Sequence, residues 1–383
     1  MALVIPEVSR TFNEFLLLPN RTTTDCLPDS VDLTTALLRH TAGRAPSMTL
    51  GLPFTSAIMQ AVSSPELAMA LAECGGLGFL HHNQPIEDQA EQVRRVKRSG
   101  PGPALLVGAG VNTHDYAERI PAVVAAGADV LCFDSSDGYS DWQAAALTWA
   151  KRHYPEVGAG AGNVVDAEAF TFLAEAGADF VKVGVGGGSI CITRDQKGIG
   201  RGQASALLDV AAARDSFCQR TGQYVPVCSD GGLMHDYHIA LALAMGADFV
   251  MMGRYFARFD QAPGARVATS AGLLKEYWGE GSSRARNWRR YGHGGRELAF
   301  EEGVDGLVPY AGDLQAGLAL TVAKLRATMV SCGAVSLAEF RSTARLTLVS
   351  AQSFAEAHAS VLLPVTGQVA DASTVPDAAA MTS

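Results

Sequence analysis

The chain has 383 residues, 48% of them hydrophobic, with a net charge of -9 and seven cysteines. That is apolar material for one large domain or two ordinary ones, and the acidic balance lacks the basic face of a nucleic-acid binder. No run of about 18 apolar residues marks a membrane span, Met1-Ala2-Leu3-Val4-Ile5-Pro6-Glu7 has no signal-peptide pattern, and the irregular cysteine spacing suits neither a metal site nor a disulfide set, so a reducing cytoplasm is expected.

Short apolar runs then alternate with amphipathic stretches. Strands are predicted over Phe54–Met59, Leu77–His81, Ala104–Val107, Val130–Phe133, Val157–Ala159, Phe180–Val183, Val225–Cys228 and Phe249–Met252. Helical runs such as Glu66–Glu73, Ile86–Val96 and Ala204–Gln219 separate them. Buried strands alternating with helices predict an α/β fold, a parallel sheet closed into a (β/α)8 barrel. A doubly wound open sheet is the alternative arrangement. Ala126-Gly127-Ala128-Asp129, Ala176-Gly177-Ala178-Asp179 and Met245-Gly246-Ala247-Asp248 each end a helix just before a strand, where Gly suits the cap.

Two segments break the rhythm. Residues 96–103 are a short, turn-rich connector, and residues 260–312 form an insertion after the eighth strand. A loop of that length is usually functional or disordered. Beyond Pro364 the chain is rich in Ala, Thr, Ser and Asp and reads as disordered. The expected organisation is one barrel over residues 1–364, with a flap at about 260–312 and a tail at 365–383.

Chemistry concentrates after the strand ends, as a barrel requires. Gly184-Val185-Gly186-Gly187-Gly188-Ser189-Ile190-Cys191-Ile192-Thr193-Arg194 follows the sixth strand. Its glycines allow a sharp turn and a close approach to a ligand, and aimed N–H dipoles would favour a Cys191 thiolate. Cys132 and Cys228 lie inside apolar strands and read as core. Ser229-Asp230-Gly231-Gly232 and Gly253-Arg254 follow the seventh and eighth strands, where barrels bind phosphate on backbone N–H groups. Taken alone, Asp230-Gly231 is also compatible with a plain turn. Asp134-Ser135-Ser136-Asp137-Gly138 follows the fourth strand and offers a carboxylate of the kind that holds ribose hydroxyls. His114 and Trp142 are candidates to stack on adenine; simple helix packing explains Trp142 equally well.

Gly188-Ser189-Ile190-Cys191-Ile192-Thr193-Arg194, followed by Gly198-Ile199-Gly200-Arg201-Gly202-Gln203, resembles the catalytic Cys loop of the inosine monophosphate (IMP) dehydrogenases. The resemblance runs from about Thr11 to about Val361. It implies oxidation of IMP to xanthosine monophosphate with NAD, through a Cys191-linked intermediate that water then releases. It places Asp230 on ribose and Ser189 and Tyr277 on phosphate, beside Gly231, Gly232, Gly253 and Arg254, with Glu280 and Gly281 on the base. Asp134, Ser135 and Ser136 fall to the nicotinamide riboside, and Gly108, Asn163 and Gly184 near the nicotinamide. Arg290 and Tyr291 match a water-activating dyad on a mobile flap, and Thr193 with Glu302 a second proton route. The rival reading of residues 280–291 is a solvated basic loop, which leaves Trp288 and the Arg290-Tyr291 pair unexplained.

Carbonyls at Gly186, Gly188 and Cys191 match a potassium site completed by a neighbouring subunit. Its third segment corresponds to Glu356-Ala357-His358, where the family's two glycines are replaced. A homotetramer is implied. The connector at residues 96–103 has no room for the paired regulatory modules that most of these enzymes carry there. Guanosine monophosphate reductase and a non-catalytic nucleotide-binding barrel are the rivals; the Arg290-Tyr291 pair argues against the first, and the combined catalytic set against the second.

Overall fold

The computed structural model describes residues 2, 4–99, 104–270, 272–286 and 298–356. Eight parallel strands form its centre: β1 (Phe54–Ser56), β2 (Gly78–Leu80), β3 (Val107–Val111), β4 (Val130–Asp134), β5 (Gly158–Val164), β6 (Phe180–Val183), β7 (Val227–Asp230) and β8 (Phe249–Met252). Each pairs in parallel with its sequence neighbour, β8 pairs with β1, and a parallel bridge from Thr55 to Leu77 closes the ring. The expected barrel is present, and the open sheet is not.

The helices that follow the strands are α1 (Pro65–Glu73), α2 (Ile86–Lys97), α3 (Tyr116–Ala125), α4 (Asp141–His153), α5 (Ala167–Glu175), α6 (Gln203–Thr221), α7 (Asp236–Ala244) and α8 (Leu314–Ser331). Residues 98–106 alone join α2 to β3.

Two predicted strands need correction. The third runs over Val107–Val111 rather than Ala104–Val107, and the fifth extends to Val164. Both are glycine-rich, which weakens a strand signal. Their glycines make room for aromatic rings in the barrel: a Cβ on Gly108 would stand 2.3 Å from the Phe79 ring, and one on Gly160 2.0 Å from Phe180. Phe79, Phe180 and Phe249 pack in series across the interior, with centroids 6.2 and 5.4 Å apart.

The three Gly-Ala-Asp repeats do more than end helices. Gly127, Gly177 and Gly246 take positive φ values of 104°, 104° and 115°. Each following Asp then accepts an N–H from the start of the preceding strand: Asp129 from Val107, Asp179 from Ala159 and Asp248 from Val227, all at 2.8 Å. Each is also paired with a cation from the helix that leads into that preceding strand, Lys97 of α2, Lys151 of α4 or Arg214 of α6. The repeat is therefore a strand clamp at the N-terminal end of the barrel.

The insertion after β8 is largely folded. Strands β9 (Arg266–Thr269), β10 (Gly272–Trp278) and β11 (Asp305–Pro309) form an antiparallel sheet. Lys275 is buried and donates to the carbonyls of Phe259 and Ala262, tying this sheet to the end of the barrel. Residues 287–297 and the expected tail at 365–383 lie outside the described residues. No described helix is long and apolar enough to cross a membrane.

Candidate active site

The carboxyl ends of the strands and the insertion enclose a cavity of about 210 Å³. Cys191 lines it, between β6 and the short helix Thr193–Lys197. Its loop is stitched to the segment before β11: Ile192 N–H donates to the Glu302 carbonyl at 2.9 Å and Val304 N–H to Ile190 at 3.1 Å. The Cys191 thiol donates to Thr193 Oγ1 at 3.1 Å. Thr193 and Glu302 are both buried, and Lys197 Nζ lies 3.4 Å from the Glu302 carboxylate. A potential nucleophile, a hydroxyl and a carboxylate thus share one wall.

Three glycine-bearing loops form the opposite end. Gly231 and Gly232 adopt φ values of 84° and 72°, and Gly232 N–H donates to the Gly187 carbonyl at 2.9 Å. That turns the Gly187–Ser189 and Gly231–Gly232 backbones against each other. Tyr277, from β10, leans over them; a Cβ on Gly253 would stand 2.6 Å from its hydroxyl. Burial pushes the Tyr277 phenol up, and its hydroxyl donates to Met59 Sδ at 3.8 Å. Arg254 begins a short helix, Arg254–Ala257. Ser189, Gly231, Gly232, Gly253, Arg254 and Tyr277 therefore converge on one anion-sized end.

Between these ends lies a polar cluster that sequence reasoning missed at its centre. Lys182 Nζ donates to Asp134 at 2.6 Å, to Asp230 at 2.8 Å and to Asn163 Oδ1. Asn163 in turn donates to the Gly184 carbonyl at 2.6 Å and to Asp230 at 3.0 Å. The only signal in the sequence was one cation in an otherwise apolar strand.

A second cavity, of about 980 Å³, adjoins the first and shares Asp134, Ser135, Ser136 and Glu280 with it. His114 and Trp142 line it, and Trp142 is 76% exposed, so it does not serve helix packing. Glu280 stands at the junction, where its carboxylate accepts from Gln60 N–H and, at 3.2 Å, from Asn83 Nδ2. Gly281 lies against Glu302.

Not every expected residue joins the site. Gly108 is inside β3 against Phe79, lines neither cavity, and serves packing. Gly186 and Gly188 lie in the Cys loop, and the Gly188 carbonyl accepts Cys191 N–H at 3.1 Å. Glu356 is exposed in the helix Ala351–Glu356. Arg290, Tyr291, Trp288, Ala357 and His358 fall outside the described residues. The described cysteines are all free, with Cys132 and Cys228 buried as expected. Among described residues no group of His, Cys, Asp or Glu side chains is arranged to hold a metal ion.

Comparison with known proteins identifies the family. Residues 9–360 match the IMP dehydrogenase / GMP reductase domain. The chain is 40% identical over 485 aligned positions to inosine-5'-monophosphate dehydrogenase of Tritrichomonas foetus, covering 93% of this chain and 96% of that one. The alignment has more positions than this chain has residues, so the relative carries sequence absent here. Inosine-5'-monophosphate dehydrogenase of Borreliella burgdorferi is 29% identical over 408 positions, covering 92% of this chain and 97% of that one. The Escherichia coli K12 enzyme of the same name is 27% identical over 483 positions, covering 92% and 96%. With a Cys loop at the mouth of a (β/α)8 barrel and a domain match across nearly its whole length, the chain belongs to the IMP dehydrogenase / GMP reductase family.

Proposed function

We propose that this protein oxidises IMP to xanthosine monophosphate with NAD, and so acts in guanine nucleotide synthesis. The observation that carries the reading is the position of Cys191, between an anion-sized glycine end and a second cavity entered past Asp134. The IMP phosphate sits on the N–H groups of Gly231, Gly232 and Gly253 with Ser189, Arg254 and Tyr277, and the ribose hydroxyls bond to Asp230. This brings the purine C2 to Cys191 Sγ, with Glu280 and Gly281 along the base.

The thiolate attacks C2, and a hydride leaves that carbon. NAD, when bound, accepts that hydride. The second cavity fits it: Asp134, Ser135 and Ser136 at the entrance suit the riboside, while His114 and Trp142 at the far side suit the adenine. Asn163 and Gly184 hold the floor beneath the nicotinamide. The purine is left joined to Cys191 as a thioimidate, and water adds to C2 and expels the thiolate. The Arg290-Tyr291 pair takes the proton from that water, with Thr193 and Glu302 as a second route. Thr193 already stands 3.1 Å from Cys191 Sγ.

The carbonyls of Gly186, Gly188 and Cys191 would hold a potassium ion that braces the Cys loop, with Glu356 contributed by another copy of the chain in a homotetramer. Mixing protein, IMP and NAD tests the reading. NADH formation dependent on both substrates supports it. Oxidation of NADPH with GMP instead would identify a reductase, and binding of IMP without turnover a nucleotide sensor.

A further inference from the structure

Lys182 has no part in the chemistry above, yet it occupies the centre of the cavity floor. Side chains alternate along a strand, so Lys182 shares the inward face of β6 with Phe180 and lies one layer nearer the cavity. Its three hydrogen bonds, to Asp134, Asp230 and Asn163, use every donor an ammonium has. The ammonium is buried, whereas the Asp134 and Asp230 side chains are 24% and 20% exposed. Each carboxylate thus leans on Lys182 from below while facing a cavity above. Asp230 engages Lys182 and Asn163 through Oδ2 alone among the described residues.

We propose that Lys182 is a positioning residue that couples the two nucleotide subsites, one ammonium holding and aiming both the Asp134 and the Asp230 carboxylates. This rests on the assignment of Asp230 to the IMP ribose and Asp134 to the dinucleotide. Two carboxylates sharing a site without a cation cannot both stay ionised; one takes up a proton, and its ability to accept ribose hydroxyls falls. The other groups facing the ammonium are the Cys132 thiol from β4 and the Cys228 thiol from β7. Burial pushes both thiols up, so both stay neutral. His82 approaches Asp134 from the far side at 3.9 Å. Burial opposes the charge on Lys182, and the two carboxylates outweigh it, holding its pKa well above the usual lysine value.

Lys182→Met keeps the apolar stem and removes the charge. Dissociation constants for IMP and for NAD, each measured alone by calorimetry, should both rise at pH 7 by at least about tenfold. IMP affinity in Lys182→Met, relative to the wild type at each pH, should then improve by roughly ten- to a hundredfold as pH rises from 6 to 9. In Lys182→Met/Asp134→Asn the surviving carboxylate has no like charge beside it. IMP affinity should return to near the wild-type value while NAD affinity stays weak. The double variant also removes one of the two unpaired like charges, so it provides the test if Lys182→Met alone does not fold. Unchanged affinities in folded Lys182→Met, or a loss that neither pH nor Asp134→Asn restores, would overturn the proposal. Failure of the wild type to bind IMP or NAD at all would instead overturn the functional reading.

Discussion

Cys191 is distinguished from the other cysteines by its surroundings rather than by its chemistry. Cys132 and Cys228 sit in the barrel wall, where burial raises their pKa values and keeps them protonated and inert. Cys191 is partly exposed on a glycine-rich loop with a hydroxyl at 3.1 Å. This difference was legible in the sequence, because strand interiors and glycine loops have different compositions. Lys182 was not legible, since nothing in a single apolar run announces that three separate strands will bring their polar ends to it. Gly108, which the resemblance puts near the nicotinamide, lies inside β3, where its missing side chain leaves space for Phe79. Replacing Cys191 by Ala should leave the phosphate and ribose contacts intact. IMP affinity should stay within about threefold, because one small side chain is lost and the phosphate and ribose contacts remain, while NADH formation falls to background. Calorimetry and absorbance check the two halves, and NADH formation at wild-type rate would remove Cys191 from the chemistry.

Elements were legible where propensity and packing agree. Six of the eight strands fall close to their apolar runs, and the two glycine-rich ones were displaced or shortened. The sheet in the insertion was hidden because its buried positions include a lysine, so Leu273-Leu274-Lys275-Glu276-Tyr277 does not alternate cleanly in hydropathy. The Gly-Ala-Asp repeats were read as helix caps, and their carboxylates turned out to clamp strands. Asp248 is the most deeply buried of these, accepting from Arg214, Arg341, Tyr224 and the Val227 N–H at 3.2, 2.9, 2.8 and 2.8 Å. Asp248→Ala leaves the buried Arg214 guanidinium without its main counter-charge and should cost about 3–5 kcal/mol. Asp129→Ala, at a more exposed clamp, should cost less. Urea unfolding of both variants checks the order, and equal losses would contradict the clamp ranking.

At the scale of the whole molecule, two histidines, His81 half-buried and His238 buried, link stability to pH. Burial, helped by the charges of His82 and Arg119, pushes His81 down to about 3. Burial, helped by His235, pushes His238 down to about 4. An unfolded chain protonates both near pH 6.5, and the folded one refuses those protons. Their neutral burial is therefore fully tolerated above pH 6.5 and becomes progressively destabilising as pH falls towards 4. The slope approaches about 1.4 kcal/mol per pH unit for each proton taken up only on unfolding. The urea midpoint should fall between pH 7 and pH 4.5, and a flat midpoint would contradict neutral burial.

The barrel supplies two adjoining cavities and one thiol between them, and the central claim is that Cys191 carries the purine between two separate steps. In the proposed chemistry, hydride transfer needs Cys191 and NAD, whereas release needs activated water. Removing a group used only in the second step leaves the first intact. The direct test is rapid mixing of Arg290→Ala with IMP and NAD, following NADH. A covalent intermediate predicts a fast burst of about one NADH per active site, then turnover slowed about a hundred- to ten-thousand-fold by loss of the base. A first turnover slowed as severely as the steady state, with no burst, would contradict the two-step account.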